Sequence, residues 1–283
     1  MVLLMKILLK EILMKNKKQI LKDWIELGFL NFPIFSEEVV SQMKKESKRL
    51  LYERDPDWEK YGKEGHRFFE HPHKKSDLFL KIVKDKRIIS IVEILMINDL
   101  DEPDLTIEAT QTWMYYKPPG ELGRDVHQNI FYSHTNQGEV INISIAIDDA
   151  DKENGCVYYY PGSHKERICY PIPDSSHTEF ATMDKERLKT NPKNQPNERG
   201  KPQYVPGTWV DGKWVDKYSK IYPSNSAGSV SILDSHILHG SDENQSKDRW
   251  RRAFLIQYQK YGRLDIVGRG SHMKRESINV YIK

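Results

Sequence analysis

The chain has 283 residues, 38% hydrophobic and 11% aromatic, which is enough apolar material for a substantial core and too much for global disorder. Its 44 basic and 41 acidic side chains leave a net charge of only +3, so nothing in the charge balance points to nucleic acid. The two cysteines, Cys156 and Cys169, show neither a CxxC nor a pairing pattern, and a reduced, cytoplasmic setting is expected.

Residues 1–14 are apolar, yet Lys6, Lys10 and Glu11 interrupt them and no small-residue cleavage site follows. Neither a signal peptide nor a bilayer span is expected. Leu4, Ile7, Leu8 and Ile12 have the spacing of an amphipathic helix packed on the domain. Ile20, Leu21, Trp24 and Ile25 form a second helical stripe that Gly28 ends. A short extended piece over 29–35 leads to Ser36, an N-cap followed by Glu37 and Glu38, and a helix runs to about Leu51. Residues 53–76 are charged and aromatic; the spacing of His66, His71 and His73 allows a metal cluster, but a solvated loop is the expectation. Residues 78–96 read as further helix.

After Pro103 the period changes from helical to two. Gln111, Trp113, Tyr115 and Lys117 share one face of a strand that Pro118-Pro119-Gly120 stops, and Ile141, Ile143, Ile145 and Ile147 share a face of the next. Short strands follow at 156–160, 229–233 and 253–258. Strands with turn punctuation and no intervening helices predict an antiparallel sandwich or barrel under a helical layer. The expected organisation is one structural domain: helical layer 1–100, core 101–265 and tail 266–283. The proline-rich segment 165–225 is expected to be a lid or an oligomer contact.

His127 and Asn129 lie two apart in an extended segment, which predicts that both side chains share a strand face. With His239 brought from a distant strand they make a three-point metal site. The usual facial triad for non-haem Fe(II) is two His and one carboxylate; here the third group is a carboxamide. His134-Thr-Asn136 repeats the spelling but leaves little chain before the Ile141 strand. His236 would point away from His239's face.

Three separated motifs resemble the phytanoyl-CoA dioxygenase family of Fe(II)- and 2-oxoglutarate-dependent oxygenases. They are Gln111-Thr-Trp-Met-Tyr-Tyr-Lys-Pro-Pro-Gly120 leading into His127-Gln-Asn129, then Ile145-Ala-Ile-Asp-Asp149 with Glu153-Asn-Gly155 and Pro161-Gly-Ser-His164, and finally His239-Gly-Ser241 with Arg251-Arg-Ala253. The resemblance covers about residues 18–260 and implies a mainly β fold with flanking helices, a double-stranded β-helix (jelly-roll, cupin-like) core. It implies His127, Asn129 and His239 as metal ligands for Fe(II), with 2-oxoglutarate and O2 as co-substrates. Arg251 matches the position that fixes the far carboxylate of 2-oxoglutarate, a task suited to a planar, always-charged fork. Arg252 stays open as an alternative, because one extra residue separates the pair from His239. Ser241 and Lys117 match further co-substrate contacts. Trp113 and Gln111, on the Lys117 face, would line the co-substrate or substrate chamber, with Tyr115 beside them. His164 belongs to a structural turn.

Asn129 leaves three readings: an oxygenase with a weakened metal site, a silent binding protein of the same family, or a halogenase-like variant, against which the bulk of Asn argues. The expected partner is a small-molecule substrate, with no nucleic acid or membrane and with a homo-oligomer open.

Overall fold

The period-two stretches form two facing antiparallel sheets, and the helical stripes cover the back of the larger one. The computed structural model describes residues 17–54, 67–96, 106–129, 140–166, 212–261 and 277–281. Helices run over residues 17–27 (α1), Glu37–Arg54 (α2), Asp77–Val83 (α3), Lys86–Met96 (α4) and Gly212–Lys217 (α5). Strands are β1 (Phe29–Pro33), β2 (Arg67–Glu70), β3 (Ile107–Lys117), β4 (Arg124–His127), β5 (Val140–Ala146), β6 (Val157–Tyr159), β7 (Ser229–Asp234), β8 (His239–Ser241), β9 (Arg251–Lys260) and β10 (Ile278–Asn279). The large sheet has the order β1-β7-β5-β9-β3-β10 with β2 also on β3; the small sheet is β4-β8-β6. Apart from β2 on β3, every neighbouring pair in both sheets is non-consecutive in the chain, the mark of a jelly roll.

The two faces of the large sheet differ because side chains alternate. Ile141, Ile143, Ile145, Val230, Ile232, Phe254, Ile256, Met114 and Tyr116 point to one side. They are buried together with Trp24, Met43, Leu50, Phe79, Ile88, Val92 and Leu95 of the helices. Each such side chain contributes about 2 kcal/mol of burial, so this interface carries the fold. Tyr116 and Tyr258 place their hydroxyls on helix carbonyls, donating to Ser47 O at 2.6 Å and Val83 O at 2.8 Å. The polar tip of each ring is thereby satisfied inside an apolar layer.

The helical segment expected at 78–96 is two helices. Ser76 caps α3 by accepting from Phe79 N, and Asp85 separates α3 from α4 while its carboxylate holds Arg87 in a two-pronged pair. Residues 67–70, expected as loop, are a strand on the edge of β3, and His73, expected to be solvated, is buried with Nδ1 2.6 Å from Thr112 Oγ1. A four-residue strand bordered by charge has too few apolar repeats to announce itself. His66 lies outside the described residues, as does residues 167–211 of the expected lid. The rest of that segment is tied down: Trp214, Val215, Tyr218 and Tyr222 pack on Val126, Tyr158, Tyr160 and Leu238, the outer face of the small sheet. Of the expected tail, residues 278–279 pair with β3. Among the described residues, no helix is long and apolar enough to cross a membrane.

Candidate metal centre

The inner faces of the two sheets look at each other, and the small sheet brings the two histidines together. His127 on β4 pairs directly with His239 on β8, and the ring centroids lie 4.3 Å apart. On the other side of β8, His239 pairs with Tyr159, whose ring stacks on Phe29 at 4.6 Å. Nδ1 of His239 lies 2.9 Å from the Ile237 carbonyl. A carbonyl only accepts, so Nδ1 carries the proton and Nε2 presents its lone pair. Burial, with Arg124 nearby, pushes His239 down to about 4, so the imidazole is neutral at physiological pH.

Asn129 is half-buried and does not share a strand with His127. β4 ends at His127, and Asn129 sits in the turn beyond it. The expectation of a common strand face is therefore corrected: the turn, not the pleat, sets where the carboxamide points. Gln128, between them, is fully buried and donates from Nε2 to His236 O at 2.6 Å. That bond ties the end of β4 to the turn before His239, a link the sequence reading missed. His236 itself lies against Asp234, 3.3 Å from Oδ1, and its backbone N–H also bonds that carboxylate. His134 and Asn136 lie outside the described residues. Among the described residues no three His, Cys, Asp or Glu side chains gather in a metal-binding cluster, so no carboxylate there stands in for Asn129.

Next to the histidine pair lies a cationic pocket. Lys117 and Arg251 are register partners across β3 and β9, and both are buried. Lys117 Nζ donates to Ser241 Oγ at 3.1 Å and also bonds the Asp242 carbonyl. Burial beside Arg251 pushes Lys117 down to about 6. The Arg251 guanidinium lies 4.8 Å over the Tyr115 ring, its Nε buried without a hydrogen-bond partner among the described residues. Arg124 approaches the same ring at 5.8 Å. Tyr115 is therefore a floor under two guanidiniums rather than a neighbour of the far chamber. Arg252 points to the other face, where Nε and a terminal nitrogen each meet Asp148 at 2.8 Å.

Two expected results follow from this packing. Because Lys117 binds a proton in the unfolded chain up to pH 10.5 and in the folded chain only to about 6, the unfolded state holds more protons between those values. Stability relative to a Lys117→Met variant is therefore expected to rise with pH from 6 to 10, by up to about 1.4 kcal/mol per unit. Urea titrations of both proteins at several pH values measure it. Gly240 lies where β8 crosses Tyr158 and Arg124; a Cβ there would stand 2.6 Å from the Arg124 carbonyl and closer still to the Tyr158 hydroxyl. Gly240→Ala is expected to force β4 from β8, losing about 1–3 kcal/mol of stability and loosening the His127–His239 pair, which thermal melts and metal dialysis read together.

Two facing imidazoles, a nearby carboxamide and a buried guanidinium whose Nε has no hydrogen-bond partner among the described residues suit a divalent metal held with an anionic co-ligand. The sequence profile of the phytanoyl-CoA dioxygenase (PhyH) family matches residues 26–253, more than half of the chain. The chain belongs to that family. The ectoine dioxygenase of Halomonas elongata is 26% identical over 193 residues, 65% of this chain and 50% of that protein. Phytanoyl-CoA dioxygenase domain-containing protein 1 of Danio rerio is 30% identical over 100 residues, 34% of this chain and 31% of that protein. The chain thus spans half or less of the length of these curated relatives. Among solved structures, the epimerase SnoN in complex with Fe3+, alpha ketoglutarate and nogalamycin RO aligns with a TM-score of 0.61 at 16% identity, covering 95% of this chain and 97% of that one. EctD from S. alaskensis with 2-oxoglutarate and 5-hydroxyectoine aligns with a TM-score of 0.59 at 17% identity, covering 84% and 74%. At these identities the likeness establishes the jelly-roll fold.

Proposed function

We propose that the protein is an Fe(II)- and 2-oxoglutarate-dependent oxygenase acting on a small molecule, with His127, Asn129 and His239 as the metal-holding set. The observation that carries this reading is the His127–His239 register pair lying beside the buried Lys117–Arg251–Ser241 pocket. When bound, iron with 2-oxoglutarate and O2 supplies the oxidising power, as 2-oxoglutarate is decarboxylated to succinate and a C–H bond of the substrate is oxidised.

The chain's own residues bind, orient and shield. His239 offers Nε2 because the Ile237 carbonyl holds its other nitrogen protonated. Arg251 supplies a two-pronged fork for a carboxylate, flattened against Tyr115 and pre-oriented there. Lys117 stands ready to regain its proton when an anion arrives, with Ser241 holding its Nζ in place. Tyr159 and Phe29 wall the histidine pair off from water on the β6 side. A cytoplasmic setting fits Cys156, which is buried and pushed up to about 11 by that burial, leaving an inert thiol.

Asn129 favours a second reading, a binding protein of the same fold that has lost turnover. Purified protein supplied with Fe(II), ascorbate, O2 and 2-oxoglutarate separates the two. Succinate formed above the metal-free control, and lost in His239→Ala, supports the oxygenase; saturable 2-oxoglutarate binding with no succinate supports the silent protein.

A further inference from the structure

We infer that Tyr222, outside the small sheet, is a positioning residue for the cationic pocket: its hydroxyl holds the Asp242 carboxylate away from Lys117 and so keeps that cation for the co-substrate. The inference rests on the oxygenase reading above and adds to it a hold on the pocket from the outer face of the small sheet.

Asp242 follows Ser241 at the end of β8 and faces two ways. On the pocket side, its carbonyl accepts from Lys117 Nζ. On the outer side, its half-buried carboxylate accepts through Oδ2 from the Tyr222 hydroxyl at 2.5 Å. Among the described residues no other group bonds that carboxylate. Gly155 lets the pocket side close up: a Cβ there would stand 2.6 Å from the Asp242 carbonyl and 2.9 Å from Lys117 Nζ. With no side chain at 155, Asp242 lies directly on the lysine, within a side-chain rotation of an ion pair. Burial and Arg251 weigh against the ammonium form of Lys117, whereas Glu121 and the Asp242 charge favour it. The attraction is present; the pair is not made.

What prevents it is the grip on the other side of the residue. The Tyr222 ring stands edge-on to Tyr158 with centroids 5.5 Å apart, and the ammonium groups of Lys152 and Lys220 lie over it at 5.0 and 5.6 Å. Lys220 Nζ also donates to the Tyr222 hydroxyl at 3.3 Å, and a hydroxyl that accepts from an ammonium donates more strongly in turn. Burial and the neighbouring carboxylate push the Tyr222 hydroxyl up, so it keeps the proton that it donates. Ring and hydroxyl thus act separately: the ring packs on the small sheet, and the hydroxyl aims the acid outward.

Released from Tyr222, the carboxylate would turn to the buried ammonium, and an internal ion pair would occupy the pocket in advance. 2-Oxoglutarate would then bind only the fraction of molecules in which that pair is broken. A pair favoured about ten to one lowers the apparent affinity about tenfold.

Calorimetric titration of the anaerobic Fe(II)-loaded chain with 2-oxoglutarate tests this in Tyr222→Phe, in Asp242→Asn and in the double variant. Tyr222→Phe keeps the ring and is expected to bind about tenfold more weakly. Asp242→Asn removes the competing charge and is expected to tighten binding. The double variant is expected to match Asp242→Asn, because without the acid the hydroxyl has nothing to restrain. A Tyr222→Phe affinity within about twofold of the parent, or a double variant as weak as Tyr222→Phe, overturns the inference. A crystal structure of metal-free Tyr222→Phe reads the same step with no co-substrate. The Asp242 carboxylate within about 4 Å of Lys117 Nζ is the expected result, and a carboxylate still turned outward contradicts it. Failure of the parent protein to bind 2-oxoglutarate would count against the oxygenase reading alone, since the crystal structure would still decide what Tyr222 holds.

Discussion

Replacing Asn129 by Asp is expected to tighten Fe(II) binding by about a hundredfold, or about 2.7 kcal/mol. On the proposed ligand set, the carboxamide would give the metal an oxygen dipole where a carboxylate would give a full negative charge. The surroundings sharpen the difference, because the Arg124 and Arg251 guanidiniums both crowd the Tyr115 ring. A dication entering that field with no anionic ligand is opposed by every neighbouring cation. On that reading the charge that Asn129 lacks would come from the co-substrate, so metal and 2-oxoglutarate are expected to bind strongly together and weakly apart. Coupling of this kind is reciprocal: each should tighten the other by the same factor, larger in the Asn129 protein than in the Asp variant. Equilibrium dialysis of iron with and without 2-oxoglutarate measures both quantities.

The second large effect belongs to Arg251. Arg251→Leu is expected to weaken 2-oxoglutarate binding a hundredfold or more, since a buried carboxylate would lose its two-pronged charged partner. Arg252→Leu provides the contrast from the adjacent position. Its guanidinium grips Asp148 on the far face and also reaches Lys44 O and Ser47 Oγ of α2. Its loss is expected to lower stability by about 1–3 kcal/mol while leaving 2-oxoglutarate affinity within about twofold. Calorimetric titration and denaturant melts on both variants separate the two roles. Equal loss of affinity in both would mean that the strand phase does not sort the arginines as described.

The parts of this architecture that could be read from the chain are those written in period two. Ile141, Ile143 and Ile145 announce a buried face, and Gln111, Trp113, Tyr115 and Lys117 announce the opposite one; both appear as read. What could not be read depends on contacts between distant segments. Nothing local in Arg67–Glu70 says that it will find the edge of β3, and nothing in Gln128 says that its amide will meet His236. Asn129 was expected to follow His127 along a strand, but β4 stops at the histidine, a boundary that the pleat alone does not dictate. Tyr115 shares a face with Lys117, which is legible; that two guanidiniums converge on its ring requires β4 to fold over β3, which is not. Positions along a strand follow from local alternation, whereas the facing of two sheets follows from the whole chain.

The most direct test is an anaerobic titration of the protein with Fe(II) and 2-oxoglutarate, read by the visible absorption of the resulting complex, beside His127→Ala and His239→Ala. The account predicts absorption in the parent protein that rises further in Asn129→Asp and vanishes when either histidine is removed. Absorption that survives removal of both histidines, or that appears in neither the parent nor the Asp variant, would contradict a metal centre at the His127–His239 pair.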